Sequence, residues 1–196
     1  MATQPEPLRL TLEQYLERED RQGTRHEFVD GLVFALAGAS DTHQTILANL
    51  TTLVRPALRG SACRIFTNEI KVIPPNRRRA RYPDLLVTCD ESDRADRYVK
   101  RYPKLIIEVL SPSTAATDRT EKLDEYQTIP TLDEYVLVDS LGVGVLVFRR
   151  SLGDSWMQHK YAGDEHLRLS SISLDVSLRD VYEDVDFSAL ALENER

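Results

Sequence analysis

Two runs decide the reading of this chain: Arg81-Tyr82-Pro83-Asp84-Leu85-Leu86-Val87 and Leu105-Ile106-Ile107-Glu108-Val109-Leu110-Ser111-Pro112-Ser113-Thr114. Both are rich in Leu, Ile and Val and bounded by turn residues, so they predict strands over about 83–89 and 104–111. Each also carries one carboxylate. A carboxylate in a buried strand is costly unless it is paired, hydrogen-bonded or bound to a cation. If neighbouring strands bring Asp84 and Glu108 together, positive charge between them is needed for both to stay ionised. Hard oxygen ligands favour Mg²⁺ or Mn²⁺ over zinc for that task. The plainer alternative is a strand-end aspartate and an edge glutamate, both facing water.

Working outward, Thr11 and Gln14 form a capping-box pattern ahead of Leu12, Tyr15 and Leu16, predicting a short helix at 11–20 after a loose lead at 1–10. Glu27-Phe28-Val29, Asp30-Gly31 and Leu32–Leu36 read as a hairpin. Ile46, Leu47, Leu50, Leu53, Val54, Ala57 and Leu58 recur on one helical face, with Pro56 and Gly60 marking its end. A further strand is expected at 63–73. A helix follows at 115–128, with Asp118 and Glu121 as a cap pair. Strands are expected at 135–138, 143–149 and 156–161, and a short helix at 180–192. This order predicts an α/β or α+β domain with one mixed sheet, spanning 11–196 as a single unit.

The chain of 196 residues is 41% apolar and 29% charged, as a globular protein should be, and no apolar run approaches the length of a membrane span. Its start lacks the basic and apolar parts of a secretory signal. Cys63 and Cys89 make no C-x-x-C pair, so reduced thiols in a cytoplasmic protein are expected. The four histidines have no zinc-ligand spacing. The net charge of −7 argues against non-specific coating of nucleic acid. Charge is unevenly spread, however: residues 64–104 hold eleven Lys and Arg against six Asp and Glu. Arg77, Arg78, Arg79 and Arg81 stand directly ahead of Asp84, either as a solvated loop or as a grip on phosphates. Glu69-Ile70-Lys71 spells an acid-x-lysine motif without an upstream Pro-Asp, and predicts a strand whose polar side holds Glu69 and Lys71. Glu69 is therefore a secondary site candidate.

The Pro83-Asp84 and Glu108–Thr114 runs, with Lys122, Tyr126, Glu134–Asp139, His26–Gly31 and His43, resemble the Uma-type restriction-endonuclease family, a branch of the PD-(D/E)XK nucleases. The likeness spans roughly 11–185. It implies a restriction-endonuclease-like fold, a mixed sheet flanked by helices with acidic residues at one sheet edge. It implies Asp84 and Glu108 as metal ligands, the Val109 carbonyl as a third ligand, and Glu27 completing the acidic cluster. His43 would line the site. The chain departs from the superfamily at Leu110, where a lysine usually stands. The resemblance implies that Lys122 takes over, against the alternative of an exposed lysine paired with Asp118 at i−4. The implied activity is Mg²⁺-dependent endonucleolytic cleavage of DNA, by a homodimer if two strands are cut. The competing expectation is a nucleic-acid-binding or regulatory module that keeps the fold without efficient catalysis. Ser111 is no hydrolase nucleophile, since no G-x-S-x-G elbow surrounds it. It and Thr114 are expected to shape the turn and cap the next helix. Tyr126, Tyr135 and Trp156 are expected in the core.

Overall fold

A computed structural model describes residues 9–20 and 23–187. In chain order the elements are α1 (Leu12–Glu19), β1 (His26–Val29), β2 (Leu32–Ala35), α2 (Asp41–Ala57), β3 (Arg64–Thr67), β4 (Lys71–Val72), β5 (Arg79–Ala80), β6 (Leu85–Thr88), β7 (Val99–Lys100), β8 (Pro103–Leu110), α3 (Ala115–Arg119), α4 (Glu121–Gln127), β9 (Glu134–Asp139), β10 (Gly144–Arg150), β11 (Trp156–Ala162), β12 (His166–Leu169), β13 (Leu174–Ser177) and α5 (Leu178–Val181).

The centre is a six-stranded mixed sheet in the order β11-β10-β9-β8-β6-β3. Only β8 and β9 run parallel; the other neighbours are antiparallel. β8 is buried on both faces, which explains its nearly unbroken apolar run. Side chains alternate across it. Leu105, Ile107 and Val109 pack with Ile46, Leu50 and Val54 of α2. Ile106 and Leu110 face the other way, onto Tyr126, Ile129 and Leu132 beside α4. Glu108 falls in this second row, so the pleat aims its carboxylate at α4.

A smaller sheet in the order β2-β1-β5 packs under α1 through Tyr15, Phe28 and Ile73. Its hairpin turn has positive φ at both Asp30 (49°) and Gly31 (92°), as a two-residue primed turn requires. The capping box of α1 is present: Gln14 N–H donates to Thr11 Oγ1 (3.2 Å) and Thr11 N–H to Gln14 Oε1 (2.8 Å). α2 is capped by Ser40 and ends at Ala57, with Pro56 in its last turn.

Several expectations are corrected. The strand at 63–73 is two strands, because Asn68 adopts positive φ (52°) and turns the chain after β3. The helix at 115–128 breaks at Thr120 (φ −124°, ψ −83°), and neither half has a side-chain cap bond. The Asp118–Glu121 cap pair is not formed, and Thr114, although its carbonyl accepts from Asp118 N–H (2.9 Å) at the cap position of α3, makes no side-chain cap bond. β5, β7 and the β12–β13 hairpin were not expected; the first two have only two residues each. The last helix among the described residues is α5, which starts two residues before the expected 180–192 and ends at Val181; 188–192 lie outside the described residues. Leu10 is part of the fold: its N–H donates to Gly31 O (2.8 Å). Residues 1–8 of the expected lead lie outside the described residues.

Cys63 and Cys89 are joined by a disulfide, contrary to the reduced pair expected. The register Arg64↔Thr88 sets the two cysteines opposite each other at the end of the β3–β6 ladder, a proximity that sequence spacing could not reveal. The bond closes a loop with a sequence separation of 26. Chain-entropy reasoning puts its contribution at about 3 kcal/mol. The C63S/C89S variant should therefore unfold at a clearly lower temperature than the oxidised protein. Reduced wild-type protein should match the variant, and thermal denaturation with and without dithiothreitol checks this.

Candidate active site

Asp84 stands immediately before β6, and Glu108 lies within β8. The register pairs Leu85 with Ile107, so one step further Asp84 stands opposite Glu108, on the same face of the sheet. The two residues are locked together. Asp84 N–H donates to Glu108 Oε2 (3.3 Å), and Val109 N–H donates to Asp84 Oδ2 (2.8 Å). The plainer alternative of two water-facing carboxylates is thus excluded for Glu108, which is 3% exposed.

Lys122 enters from α4 and is 6% exposed. Its ammonium donates to Glu108 Oε1 (3.1 Å), lies 2.8 Å from Asp118 Oδ1, and stands 3.8 Å from Glu27 Oε1. The contact with Asp118 is the i,i+4 pair considered from sequence, but it is buried and joined to the cluster. Tyr126, one turn after Lys122, donates its hydroxyl to Glu108 Oε1 (3.2 Å). From the other side, His43 in the first turn of α2 brings Nε2 to 3.2 Å from Asp84 Oδ2. Its Nδ1 is buried without a hydrogen-bond partner among the described residues.

Glu27 arrives from β1 and is held by Arg81, whose Nη1 donates to Glu27 Oε2 (2.7 Å). The same guanidinium forms a two-pronged bond with Glu125 (2.9 and 2.7 Å). Glu27, His43, Arg81, Asp84, Glu108, Asp118 and Lys122 border one cleft of about 770 Å³, walled by the β1–β2 hairpin on one side and the Ser111–Thr114 loop on the other, with Tyr126 and Glu125 behind them.

The electrostatics follow from crowding. Burial is the largest influence on Glu108 and pushes its carboxyl well above the usual range. Asp118, Asp84 and Glu27 add to the rise, while Lys122 opposes it. Burial alone would lower Lys122, but Glu108, Glu27 and Asp118 outweigh it and hold the ammonium above the ordinary lysine range. His43 is likewise depressed by burial and raised overall by its contact with Asp84. The cluster retains protons because it holds more carboxylate than fixed cation.

The structure brings together Asp84, Glu108, Val109, Lys122, Glu27 and His43. It does not bring the whole arginine run with them. Of Arg77, Arg78, Arg79 and Arg81, only Arg81 borders the cleft, and its donors are occupied by Glu27 and Glu125. Arg79 pairs with Asp30 and Glu125, Arg78 with Asp30 (2.7 Å) and Arg77 with Glu13 (2.8 Å). The run flanks β5 and is ion-paired to its neighbours, with Arg77, Arg78 and Arg79 outside the cleft. Glu69 is also displaced: the turn at Asn68 leaves it exposed, 3.4 Å from Arg25, while Lys71 is buried against Tyr82. Sequence reasoning missed Glu125 and gave Asp118 and Tyr126 no part in the cluster. The four-residue spacing of Asp118, Lys122 and Tyr126 was the available signal.

Leu110 is buried on the Glu108 side of β8 and packs in the cluster that contains Tyr126 and Leu137. A lysine there would place an ammonium among apolar groups while Lys122 already occupies the Glu108 carboxylate. Leu110→Lys should accordingly lower the melting temperature and bring no gain in any activity of the cleft. Calorimetry beside an activity assay checks both halves.

Among the described residues, no three His, Cys, Asp or Glu side chains form a ready-made metal cage. The donor set fits a different kind of site. Two carboxylates and the Val109 carbonyl at the wall of a wide cleft suit Mg²⁺ or Mn²⁺, since Mg²⁺ is commonly held by one or two carboxylates while keeping several waters. The surplus of negative charge points the same way.

Fold and site together define a restriction-endonuclease-like protein. A crystal structure described as "a putative nuclease belonging to DUF820" from Anabaena variabilis superposes with a TM-score of 0.73, covering 88% of this chain and 97% of that one at 17% identity, a likeness of fold. Residues 12–180 match the Uma2 family, described as "Putative restriction endonuclease", and the chain belongs to that family. Two relatives from Synechocystis sp. are the uncharacterized proteins slr1290, 36% identical over 179 residues (91% of this chain, 94% of that one), and sll1609, 31% identical over 157 residues (79% and 89%).

Proposed function

We propose that this chain is a divalent-metal-dependent endonuclease that hydrolyses phosphodiester bonds of DNA in the cleft between Asp84, Glu108 and Lys122. The observation that carries this reading is the cross-strand pair of carboxylates with a buried ammonium 3.1 Å from one of them. Asp84, Glu108 and the Val109 carbonyl would hold Mg²⁺ or Mn²⁺, which acidifies a bound water and offsets charge on the phosphate. Lys122, kept protonated by three carboxylates, does not act as a base; it steadies the attacking water or the negative charge gathering on phosphorus. Glu27 and Asp118 position that ammonium, Arg81 positions Glu27, and His43 fixes the Asp84 carboxylate. Water oxygen bonds to phosphorus as the bond to the leaving sugar oxygen breaks; the water's proton passes to solvent and the leaving oxygen takes one from solvent, with no covalent enzyme intermediate.

The placement of Leu110 favours a second reading: a nucleic-acid-binding module in which Lys122 serves only to neutralise buried carboxylates. No helix among the described residues is long and apolar enough to cross a membrane. A cytoplasmic site of action belongs to the nuclease reading, but the Cys63–Cys89 disulfide counts against it. So does a homodimer, which would supply one cleft per strand. Phe187 packs against Tyr182 of its own chain, with ring centroids 5.8 Å apart. The test is incubation of plasmid DNA with the protein and Mg²⁺ or Mn²⁺. The nuclease reading expects nicking that EDTA stops. Retarded migration without cleavage would favour the binding module.

A further inference from the structure

The hairpin wall of the cleft carries a side chain that the proposed chemistry does not use. Phe34, on β2, lies directly opposite Glu27 on β1, so the two side chains project from the same face of the small sheet. The register Phe28↔Ala80 continues the row to Arg81, and the Glu27–Arg81 bond confirms it. Phe34, Glu27 and Arg81 therefore form one line across the sheet, all bordering the cleft. The opposite face of the same hairpin has Phe28 and Val33 packed into the core under α1. Phe34 has no such packing and is 51% exposed. A phenyl ring left open next to an acidic cluster gains nothing for the fold.

The surroundings limit what the ring can meet. The cleft offers few free cations: Lys122 and Arg81 are buried in ion pairs, Arg25 at its edge donates to Asn68 O (2.6 Å) and stands 3.4 Å from Glu69, and Arg77, Arg78 and Arg79 lie outside it. Binding two phosphate backbones by charge alone is thus poorly supported. A flat ring that receives the face of a nucleobase supplies affinity without sequence preference. In a duplex the faces of each base are covered by their neighbours.

Resting on the nuclease reading of the cleft, we infer that the substrate presents an unpaired base next to the scissile phosphate, as in single-stranded DNA, and that Phe34 stacks on it.

The test compares a labelled thymidine-rich single strand with its duplex, using the full chain with Mn²⁺. Wild type should cut the single strand at least about tenfold more efficiently. Phe34→Ala should raise KM for the single strand about tenfold with little change in kcat, and Phe34→Trp should restore it. Phe34→Leu, apolar but without a π face, should behave as Phe34→Ala, and melting curves confirm that all variants fold. Equal cleavage of both substrates, or a Phe34→Leu variant as good as wild type, would overturn the inference and leave the nuclease reading intact. If wild type cuts neither, binding of the same single strand carrying 2-aminopurine, measured with Ca²⁺, decides. Fluorescence quenching that depends on the Phe34 ring supports stacking while the nuclease reading falls, and no quenching overturns the inference as well.

Discussion

Asp84→Asn should reduce metal-dependent DNA cleavage by about 10²–10³-fold, the scale on which single preorganised electrostatic groups act. The substitution is nearly isosteric, and the amide oxygen can still accept from Val109 N–H, which now donates at 2.8 Å. The charge disappears, and with it the anionic partner of His43 Nε2. One negative group fewer in a crowded cluster relieves repulsion on buried Glu108, so the melting temperature should rise even as activity falls. Rate measurements beside thermal denaturation check both directions. Loss of activity through unfolding would instead lower the melting temperature, and that result would remove Asp84 from the chemistry.

Lys122→Met should damage the protein in two separable ways. The ammonium now contacts Glu108 and Asp118 and stands near Glu27, all out of water. Removing one partner of a buried charge group costs about 3–5 kcal/mol, because the remaining carboxylates lose their compensation. Cleavage should fall with stability. The double variant Lys122→Met, Asp118→Asn removes one of the stranded charges, so it should regain part of the lost stability and none of the activity. Urea denaturation and a cleavage assay on the two variants separate these effects. If the double variant recovers activity, Lys122 is a structural counter-ion and takes no part in the cleavage.

The parts of the fold legible in sequence were those set by local rules. Asp30-Gly31 meets a turn that needs positive φ twice, and the Thr11–Gln14 box is made of neighbours. The stripe from Ile46 to Leu58 has one period and one buried face. Misreadings arose where a single backbone torsion decided the outcome. Asn68 and Thr120 each interrupt a pattern that remains continuous in sequence. Short strands such as Arg79–Ala80 carry too few residues for any period, so a β edge resembled a basic loop.

The site divides in the same way. Asp84 and Glu108 stood out because carboxylates are out of place in apolar strands, and antiparallel pairing set them opposite one another. Lys122 was reached through the family resemblance, since nothing in α4 itself marks that lysine. The roles of Asp118 and Glu125 depend on which way a broken helix turns, and that was not written in any local pattern. The disulfide is a further case: a separation of 26 becomes a contact only through the β3–β6 register.

The most direct measurement is anomalous diffraction from crystals soaked in Mn²⁺. One strong peak is expected at the cleft wall within coordination distance of Asp84, Glu108 and the Val109 carbonyl, absent from crystals of Asp84→Asn. A cleft empty at saturating Mn²⁺, with Glu108 still bonded only to Lys122, Tyr126 and the Asp84 amide, would contradict the metal-dependent reading.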